Sequence, residues 1–292
     1  MLATVPTTSA VALEPLIEAV RPSGPVRGGA LPAALRDRYG GDLAVPLRVH
    51  RPTLISNFVS TIDGVTSYRT PEAAGGGEIS GFFEPDRFVM GLLRALADVV
   101  LVGAGTLRAD PDGAWTPRSV HPDSGRAYGA LRLELGMRPD PITAVVTGSG
   151  SLDVRHPGLA DPSVEVVMIT TDVGAAALAR QRVPSHIDVR STGDRIEASD
   201  VLQTLAFHGA ELILCEGGPH LFGQLLAAGF VDELFLTVAP QLAGRSTATP
   251  RLSLVEGTAF DVADARWGRL ADLRRAGDHL FARYRLTEGK DR

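Results

Sequence analysis

Three glycine-bearing segments follow predicted apolar strands, where glycine suits the binding of phosphate groups. Without a Cβ, glycine lets backbone N–H groups approach a phosphate closely, and a helix that begins directly afterwards adds a favourable dipole. Glycine is also the ordinary residue of tight turns in α/β proteins, but three such turns at strand ends favour a phosphate-bearing ligand. The turns are 103–106 after strand 98–102, 147–150 after strand 142–146, and 216–219 after strand 211–215, with a predicted helix at 219–228.

Polar side chains near strand ends are candidate ligands and proton donors. Thr106 can hydrogen-bond a cofactor, and Asp110 can hold a polar substrate edge or move a proton. Helix or turn capping is the alternative role of these two residues, and capping is favoured when they are considered alone. Ser60 and Thr61 close the predicted strand 53–59 and are better ligand candidates than Asp63, which belongs to an Asp-Gly turn.

Two basic residues are weaker candidates. Arg94 shares one face of the predicted helix 84–97 with Arg87, and its guanidinium could bind a phosphate or carboxylate through two parallel hydrogen bonds. A solvated helix face is the alternative. His220 lies in the turn after strand 211–215, where a backbone donor position or a helix start is favoured over a general base.

Residue counts exclude several kinds of chemistry. The only lysine is Lys290, which argues against a Walker-type phosphate lysine and a Schiff-base lysine. The only cysteine is Cys215, and the seven histidines show no ligand spacing, so we expect no disulfide and no metal site. A net charge of −5 gives no sign of a nucleic-acid partner. Without a signal-peptide pattern or a membrane-spanning apolar run, we expect a cytoplasmic protein.

The order of predicted elements indicates an α/β fold. Strands and helices alternate from residue 51 onward, and the runs at 98–102, 142–146 and 164–170 are suited to buried parallel strands. The runs at 233–239 and 280–286 alternate between apolar and polar residues, as antiparallel or half-exposed strands do. We therefore predict a mixed, mostly parallel sheet flanked by helices, with an antiparallel C-terminal end.

The chain divides by composition into an extension and one domain. Residues 1–50 are rich in proline and glycine and predict an N-terminal extension, whereas 51–288 show no linker and predict a single domain with a tail at 289–292. The segment 109–139 has little apolar periodicity and predicts a long loop that is either functional or mobile.

The same segments, taken in order, resemble the reductase domain of the riboflavin-biosynthesis deaminase/reductase family, which is similar to dihydrofolate reductase in fold. The resemblance covers residues 52–286 and implies a mixed sheet of about eight strands. It is carried by the sequences NFVSTIDG at 57–64, LLRALADVVLVGAGTLRADP at 92–111, CEGGPHL at 215–221 and VDEL at 231–234. The stretch 119–139 looks like an insertion relative to that family.

The resemblance implies an NADPH-dependent reductase that transfers hydride to the ring-opened ribose of 5-amino-6-(5-phosphoribosylamino)uracil. It places Asp110 and Glu216 as candidate proton donors, and Arg94, Arg118 and Glu216 as substrate ligands. Its cofactor ligands fall into three groups. They are Ser60, Thr106 and Asp110 at the nicotinamide, Thr147, Gly148 and Ser149 at the adenosine 2′-phosphate, and Gly217, Gly218, Pro219, His220 and Leu221 at the pyrophosphate.

Two other functions stay open at this point. A dihydrofolate- or pterin-type reductase would need an acidic residue to hold the pterin ring and no phosphate ligand. A regulatory protein would bind NADPH without turnover. The family resemblance also implies a homodimer, for which the apolar strand 233–239 gives modest support.

Overall fold

The computed structural model of the protein describes residues 11–20, 22–70 and 75–286. The predicted tail and the first ten residues of the extension lie outside this part of the chain. The strands are β1 Glu14–Ile17, β2 Val26–Gly29, β3 Leu43–Pro46, β4 Thr53–Thr61, β5 Val65–Ser67, β6 Val99–Gly103, β7 Ile142–Thr147, β8 Val166–Thr170, β9 Ile187–Ser191, β10 Leu212–Cys215, β11 Val231–Ala239, β12 Leu252–Ser253, β13 Gly268–Ala276 and β14 His279–Leu286.

Helices connect these strands and cover both faces of the main sheet. They are α1 Ala33–Tyr39, α2 Gly77–Ser80, α3 Glu84–Leu96, α4 Ala104–Ala109, α5 Pro117–Val120, α6 Gly125–Glu134, α7 Pro157–Ala160, α8 Asp172–Leu178, α9 Ala198–Phe207 and α10 Pro219–Ala227, with a 3₁₀ turn at Pro122–Ser124. Within the described ranges, no helix is long and apolar enough to cross a membrane.

The main sheet has ten strands in the order β1-β13-β14-β11-β4-β10-β6-β7-β8-β9. All strands from β11 to β9 in this order run parallel, and β14, β13 and β1 are antiparallel to their neighbours. The prediction of a mostly parallel mixed sheet with an antiparallel C-terminal end is confirmed. The run at 233–239 differs in detail, because β11 is parallel to β4 on one side and antiparallel to β14 on the other.

Strand β4 lies at the centre of the sheet and is buried along its whole length. Alternate residues of the strands supply two apolar cores, one on each face. Ile55 and Phe235 pack with helix α3 on the first face, whereas Leu54 and Phe58 pack with helices α9 and α10 on the second. Loops at the carboxyl ends of the parallel strands are thereby held on a rigid base.

The described residues before 51, 11–20 and 22–50, contribute to the first of these cores and to the edge of the sheet. Leu35 and Leu43 belong to this core, and β1 adds an edge strand to the sheet. Buried Arg274 lies 4.0 Å from the Tyr39 ring centroid and donates to the Tyr39 carbonyl oxygen at 2.7 Å. The domain boundary at residue 51 stays a prediction, but this segment shares the apolar core of the residues that follow it.

The segment 109–139, which the sequence predicts to be a long loop, contains helices α5 and α6. The loop prediction is therefore wrong for these two helices. The apolar periodicity of this segment is low because the buried face of α6 carries Tyr128 and Arg132, which have polar groups, as well as Leu131. The Arg132 guanidinium donates to the carbonyl oxygens of Arg94, Ala95 and Ala97 at 2.8 to 3.2 Å. It therefore satisfies acceptors that the C-terminal end of α3 leaves unpaired.

We expect Arg132→Met to lower the free energy of unfolding by about 3 kcal/mol, because the buried carbonyl oxygens would lose their donor. Urea unfolding followed by circular dichroism measures this difference. The control is Arg126→Ala, an exposed position of the same helix, for which we expect less than about 0.5 kcal/mol. Equal stability of the two variants would contradict the capping role.

Candidate active site at the carboxyl edge of the sheet

The three glycine turns come together because β10, β6 and β7 are neighbours in the parallel part of the sheet. The closest approach is between the β10 and β6 turns. A methyl group on Gly217 would lie 2.9 Å from Thr106 Oγ1 and 3.0 Å from Val102 Cα. Glycine at this position thus allows the two turns to touch, and Thr106 lies directly beside the Gly217-Gly218 backbone.

Helix α10 begins at the end of the β10 turn. Gly218 is its N-cap residue and Pro219 its first residue, and no side chain caps its first turn. The first N–H groups of a helix have no partner within it, so this end is suited to an anionic ligand. The His220 side chain is exposed, whereas the Leu221 side chain packs in the second apolar core, leaving its backbone as the part that could meet a ligand.

The β7 turn is organised by one hydrogen bond within the turn and one from the residue that follows β8. Thr147 Oγ1 accepts from the Gly150 N–H at 3.1 Å, and Thr171 Oγ1 donates to the Gly148 carbonyl oxygen at 2.6 Å. Gly148 and Ser149 are exposed at the edge of the sheet.

Ser60 is buried near the end of β4 and shares a face of that strand with Phe58, opposite the face that packs against α3.

Arg94 and Glu216 form a buried ion pair between α3 and the end of β10. Arg94 Nε donates to Glu216 Oε1 at 2.9 Å and Nη2 donates to Oε2 at 2.7 Å. Nη1 donates to the carbonyl oxygens of Ala114 and Thr116 at 2.9 and 3.2 Å. Every nitrogen of the guanidinium thus has a protein partner, and a phosphate would have to replace one of them.

Arg118 has a different position from the one its predicted role implies. Its guanidinium lies 3.0 Å from Asp140 and 3.7 Å from Asp161, and its side chain is 55% exposed. Asp140 precedes β7, so this ion pair is at the amino edge of the parallel strands. The structure therefore does not bring the Arg118 side chain to the three turns.

Asp110 is at the rim of the site, open to solvent at the C-terminal end of α4. Its carboxyl covers Gly113, where a methyl group would lie 2.3 Å from Oδ2. The surrounding protein raises the pKa of the Asp110 carboxyl through desolvation, and the nearby charges of Arg94 and His156 oppose this shift. A raised pKa is the property that a proton donor needs near neutral pH.

Asp86 is a buried carboxyl near Glu216 that the sequence analysis missed. It lies in the first turn of α3 and is only 5% exposed. Burial raises the pKa of its carboxyl to about 6, with the nearby hydroxyl groups of Thr237 and Ser80 opposing the shift and the charge of Glu216 adding to it. A carboxylate in the first turn of a helix is usually explained by its favourable interaction with the helix dipole. Asp86 therefore did not stand out in the sequence. Its place on the apolar stripe, in line with Val89 and Leu93, is the signal that could have revealed it.

Comparison with known proteins identifies the family of this chain. The model of the family described as "RibD C-terminal domain" matches residues 52–271. The chain belongs to this family. A Methanothermobacter thermautotrophicus protein named "2,5-diamino-6-ribosylamino-4(3H)-pyrimidinone 5′-phosphate reductase" is 28% identical over 236 residues, covering 80% of this chain and 98% of that protein.

One further relative and one solved structure extend the comparison. "Riboflavin biosynthesis protein RibD" of Mycobacterium tuberculosis is 30% identical over 238 residues, or 76% of this chain and 56% of that protein. The structure of a "pyrimidine reductase-like protein" from Corynebacterium diphtheriae superimposes with a TM-score of 0.64 at 20% identity, covering 81% of this chain and 92% of that one. The family's reductase fold is thus present in this chain.

We expect Gly217→Ala to weaken nucleotide binding about tenfold or more, because the added methyl group would meet backbone atoms of β6 that cannot move aside easily. Isothermal titration calorimetry measures the affinity of each variant for NADPH. Gly129→Ala is the control, since an added methyl group there meets no atom within 4 Å and lies on the distant helix α6. Unchanged affinity in the Gly217 variant would show that the contact between the turns is dispensable.

We expect Asp86→Asn to raise the free energy of unfolding at pH 8 by up to about 3 kcal/mol. Because the folded-state pKa of about 6 lies above the ordinary value of 3.8, the folded protein binds this proton more tightly. Ionisation therefore destabilises the native state progressively as pH rises between these values, and the difference should vanish near pH 4. Urea unfolding at both pH values tests this, and a difference independent of pH would refute it.

Proposed function

We propose that this protein is an NADPH-dependent reductase of riboflavin biosynthesis that acts on 5-amino-6-(5-phosphoribosylamino)uracil. The observation that carries the proposal is the meeting of three glycine turns from neighbouring parallel strands beside the uncapped start of α10. This arrangement suits a dinucleotide with several phosphate groups. Membership of the RibD C-terminal domain family and the reductase names of the relatives support the same reaction.

The residues present fit NADPH. Gly217 and Gly218 let the backbone approach a pyrophosphate beside the N–H groups of His220 and Leu221, and Pro219 begins the helix without removing a donor that the helix needs. Bound NADPH would supply the hydride for reduction of the sugar C1. The remaining ligands would be Ser60, Thr106 and Asp110 at the nicotinamide end, and Thr147, Gly148 and Ser149 at the 2′-phosphate.

The proton required by the reduction is assigned to Asp110 in this proposal. Both oxygens of Glu216 accept hydrogen bonds from Arg94, so Glu216 is held as an acceptor and serves to orient the site. Asp110 is open to solvent, and the raised pKa of its carboxyl increases its protonated fraction. Arg94, fixed by Glu216 and two carbonyl oxygens, positions the 114–116 loop next to the substrate.

A pterin-type reductase is a second candidate, favoured by the state of the arginines. Arg94 has no free nitrogen and Arg118 lies at the opposite edge of the sheet, so neither offers a ready phosphate site. Asp86 supplies the buried acid that a pterin ring needs. Substrates with and without a phosphate group therefore discriminate between the two candidates.

We further propose a cytoplasmic homodimer. Strand β11 is flanked by β4 and β14 and cannot form the interface on which the sequence-based expectation relied. Of the two edge strands, β1 and β9, the proposal uses β1, where Leu16 and Ile17 are nearly half exposed. An edge strand with apolar side chains can pair with a second copy of itself.

Turnover of NADPH tests the proposal directly. Purified enzyme should oxidise NADPH in the presence of 5-amino-6-(5-phosphoribosylamino)uracil, much faster than NADH, with loss of cofactor absorbance as the signal. We expect Asp110→Asn to lower kcat at least tenfold with little change in NADPH affinity. Turnover of dihydrofolate alone would favour the pterin-type reaction. NADPH binding with no turnover of any acceptor would favour a regulatory protein.

A further inference from the structure

His156 connects two segments at the rim of the candidate site. It is the N-cap residue of helix α7, and its Nδ1 accepts a hydrogen bond from the Gly158 N–H at 3.1 Å. Because Nδ1 is an acceptor, the neutral imidazole carries its proton on Nε2. That nitrogen lies 2.9 Å from the backbone carbonyl oxygen of Asp110 and donates to it. The two ring nitrogens therefore have separate tasks, one within α7 and one at Asp110.

The backbone of Asp110 is held on both sides of its Cα atom. Its N–H donates to the Thr106 carbonyl oxygen at 3.1 Å, and its own carbonyl oxygen accepts from the Gly113 N–H at 3.1 Å in addition to His156 Nε2. Two donors engage both lone pairs of this oxygen and fix the plane of the peptide group that leads to Pro111. These contacts set the direction in which the Asp110 carboxyl group projects.

Close packing of glycines brings the same two segments together. A methyl group on Gly158 would lie 2.5 Å from the Gly113 carbonyl oxygen and 2.4 Å from Trp115 Cζ3. The buried Trp115 ring also lies beside the His156 imidazole, with 5.7 Å between the ring centroids. The Asp110 carboxyl group covers Gly113 on the same loop. The hydrogen bond from His156 is thus part of a packed contact between α7 and the loop that follows α4.

We propose that His156 is a positioning residue that holds the Asp110 carboxyl group in the orientation required for proton transfer. The inference rests on the proposed function, which assigns the proton to Asp110. A displacement of about 1 Å in a reacting group can lower a rate about a hundredfold, so a tether on the Asp110 backbone can control turnover. His156 acts through Asp110 and needs no contact of its own with NADPH or the sugar.

Capping of α7 is the alternative role of His156, and two conservative substitutions separate the two roles. His156→Asn places an amide oxygen near the position of Nδ1, which preserves the cap, but its short side chain does not reach the Asp110 carbonyl oxygen. His156→Gln places an amide nitrogen near the position of Nε2, which preserves the donor to Asp110 but loses the short capping acceptor.

The decisive experiment compares kcat and KM of these two variants with those of the wild-type enzyme. We expect His156→Asn to lower kcat at least tenfold, with KM for NADPH and for the ribosyl phosphate within about twofold of the wild-type values. His156→Gln should keep kcat within about threefold of the wild type. The reverse order, with kcat preserved by asparagine and lost with glutamine, would assign His156 to capping and overturn the inference, as would full activity of both variants.

A double variant tests whether the effect passes through Asp110. In an Asp110→Asn background, His156→Asn should lower kcat by no more than about twofold, because the group that it positions is already absent. Additive losses would overturn the inference. His186→Asn is the matched control, since His186 Nε2 lies 2.8 Å from the Leu159 carbonyl oxygen of the same helix α7. We expect this variant to leave kcat unchanged.

Hydrogen exchange tests the tether independently of turnover. Mass spectrometry of residues 108–116 should show faster amide exchange in His156→Asn than in the wild type, and wild-type exchange in His156→Gln. Equal exchange in all three proteins would overturn the inference. If the wild type turns over no acceptor but exchange is faster in His156→Asn alone, the proposed function is refuted and the tether between His156 and Asp110 is supported.

Discussion

The buried ion pair between Arg94 and Glu216 is the contact on which the site depends. Through it the C-terminal half of α3 is bound to the end of β10, and through Ala114 and Thr116 the same guanidinium holds the loop that follows α4. Removing either partner would leave an uncompensated charge in a site from which solvent is largely excluded, a change that typically destabilises proteins by about 3–5 kcal/mol. The pair thus links the stability of the fold to the geometry of the cleft.

Arg132 extends this network by one layer. Its guanidinium binds the last carbonyl oxygens of α3, including that of Arg94 itself, so helix α6 fixes the end of the helix from which Arg94 projects. The segment that looks like an insertion in the sequence is therefore part of the support for the site. Burial lowers the pKa of Arg132 to about 10, which still leaves it charged at neutral pH.

The charge distribution in the cleft constrains which ligands it can accept. Among the described residues Arg94 is paired with Glu216, while desolvation raises the pKa values of the Asp86 and Asp110 carboxyls. The backbone N–H groups at the glycine turns are, by contrast, suited to phosphate groups.

The sequence by itself determined the fold class and the positions of the three turns, because strand periodicity and glycine at strand ends are local properties. The family resemblance added the order and spacing of the motifs. Only the tertiary structure decided which charged groups meet, since Arg94 and Glu216 are far apart in the chain and Arg118 is attracted to Asp140 at the other edge of the sheet. It also revealed Asp86, because the residues around its buried carboxyl come from α2, β11 and the turn after β10, and no local pattern records that assembly.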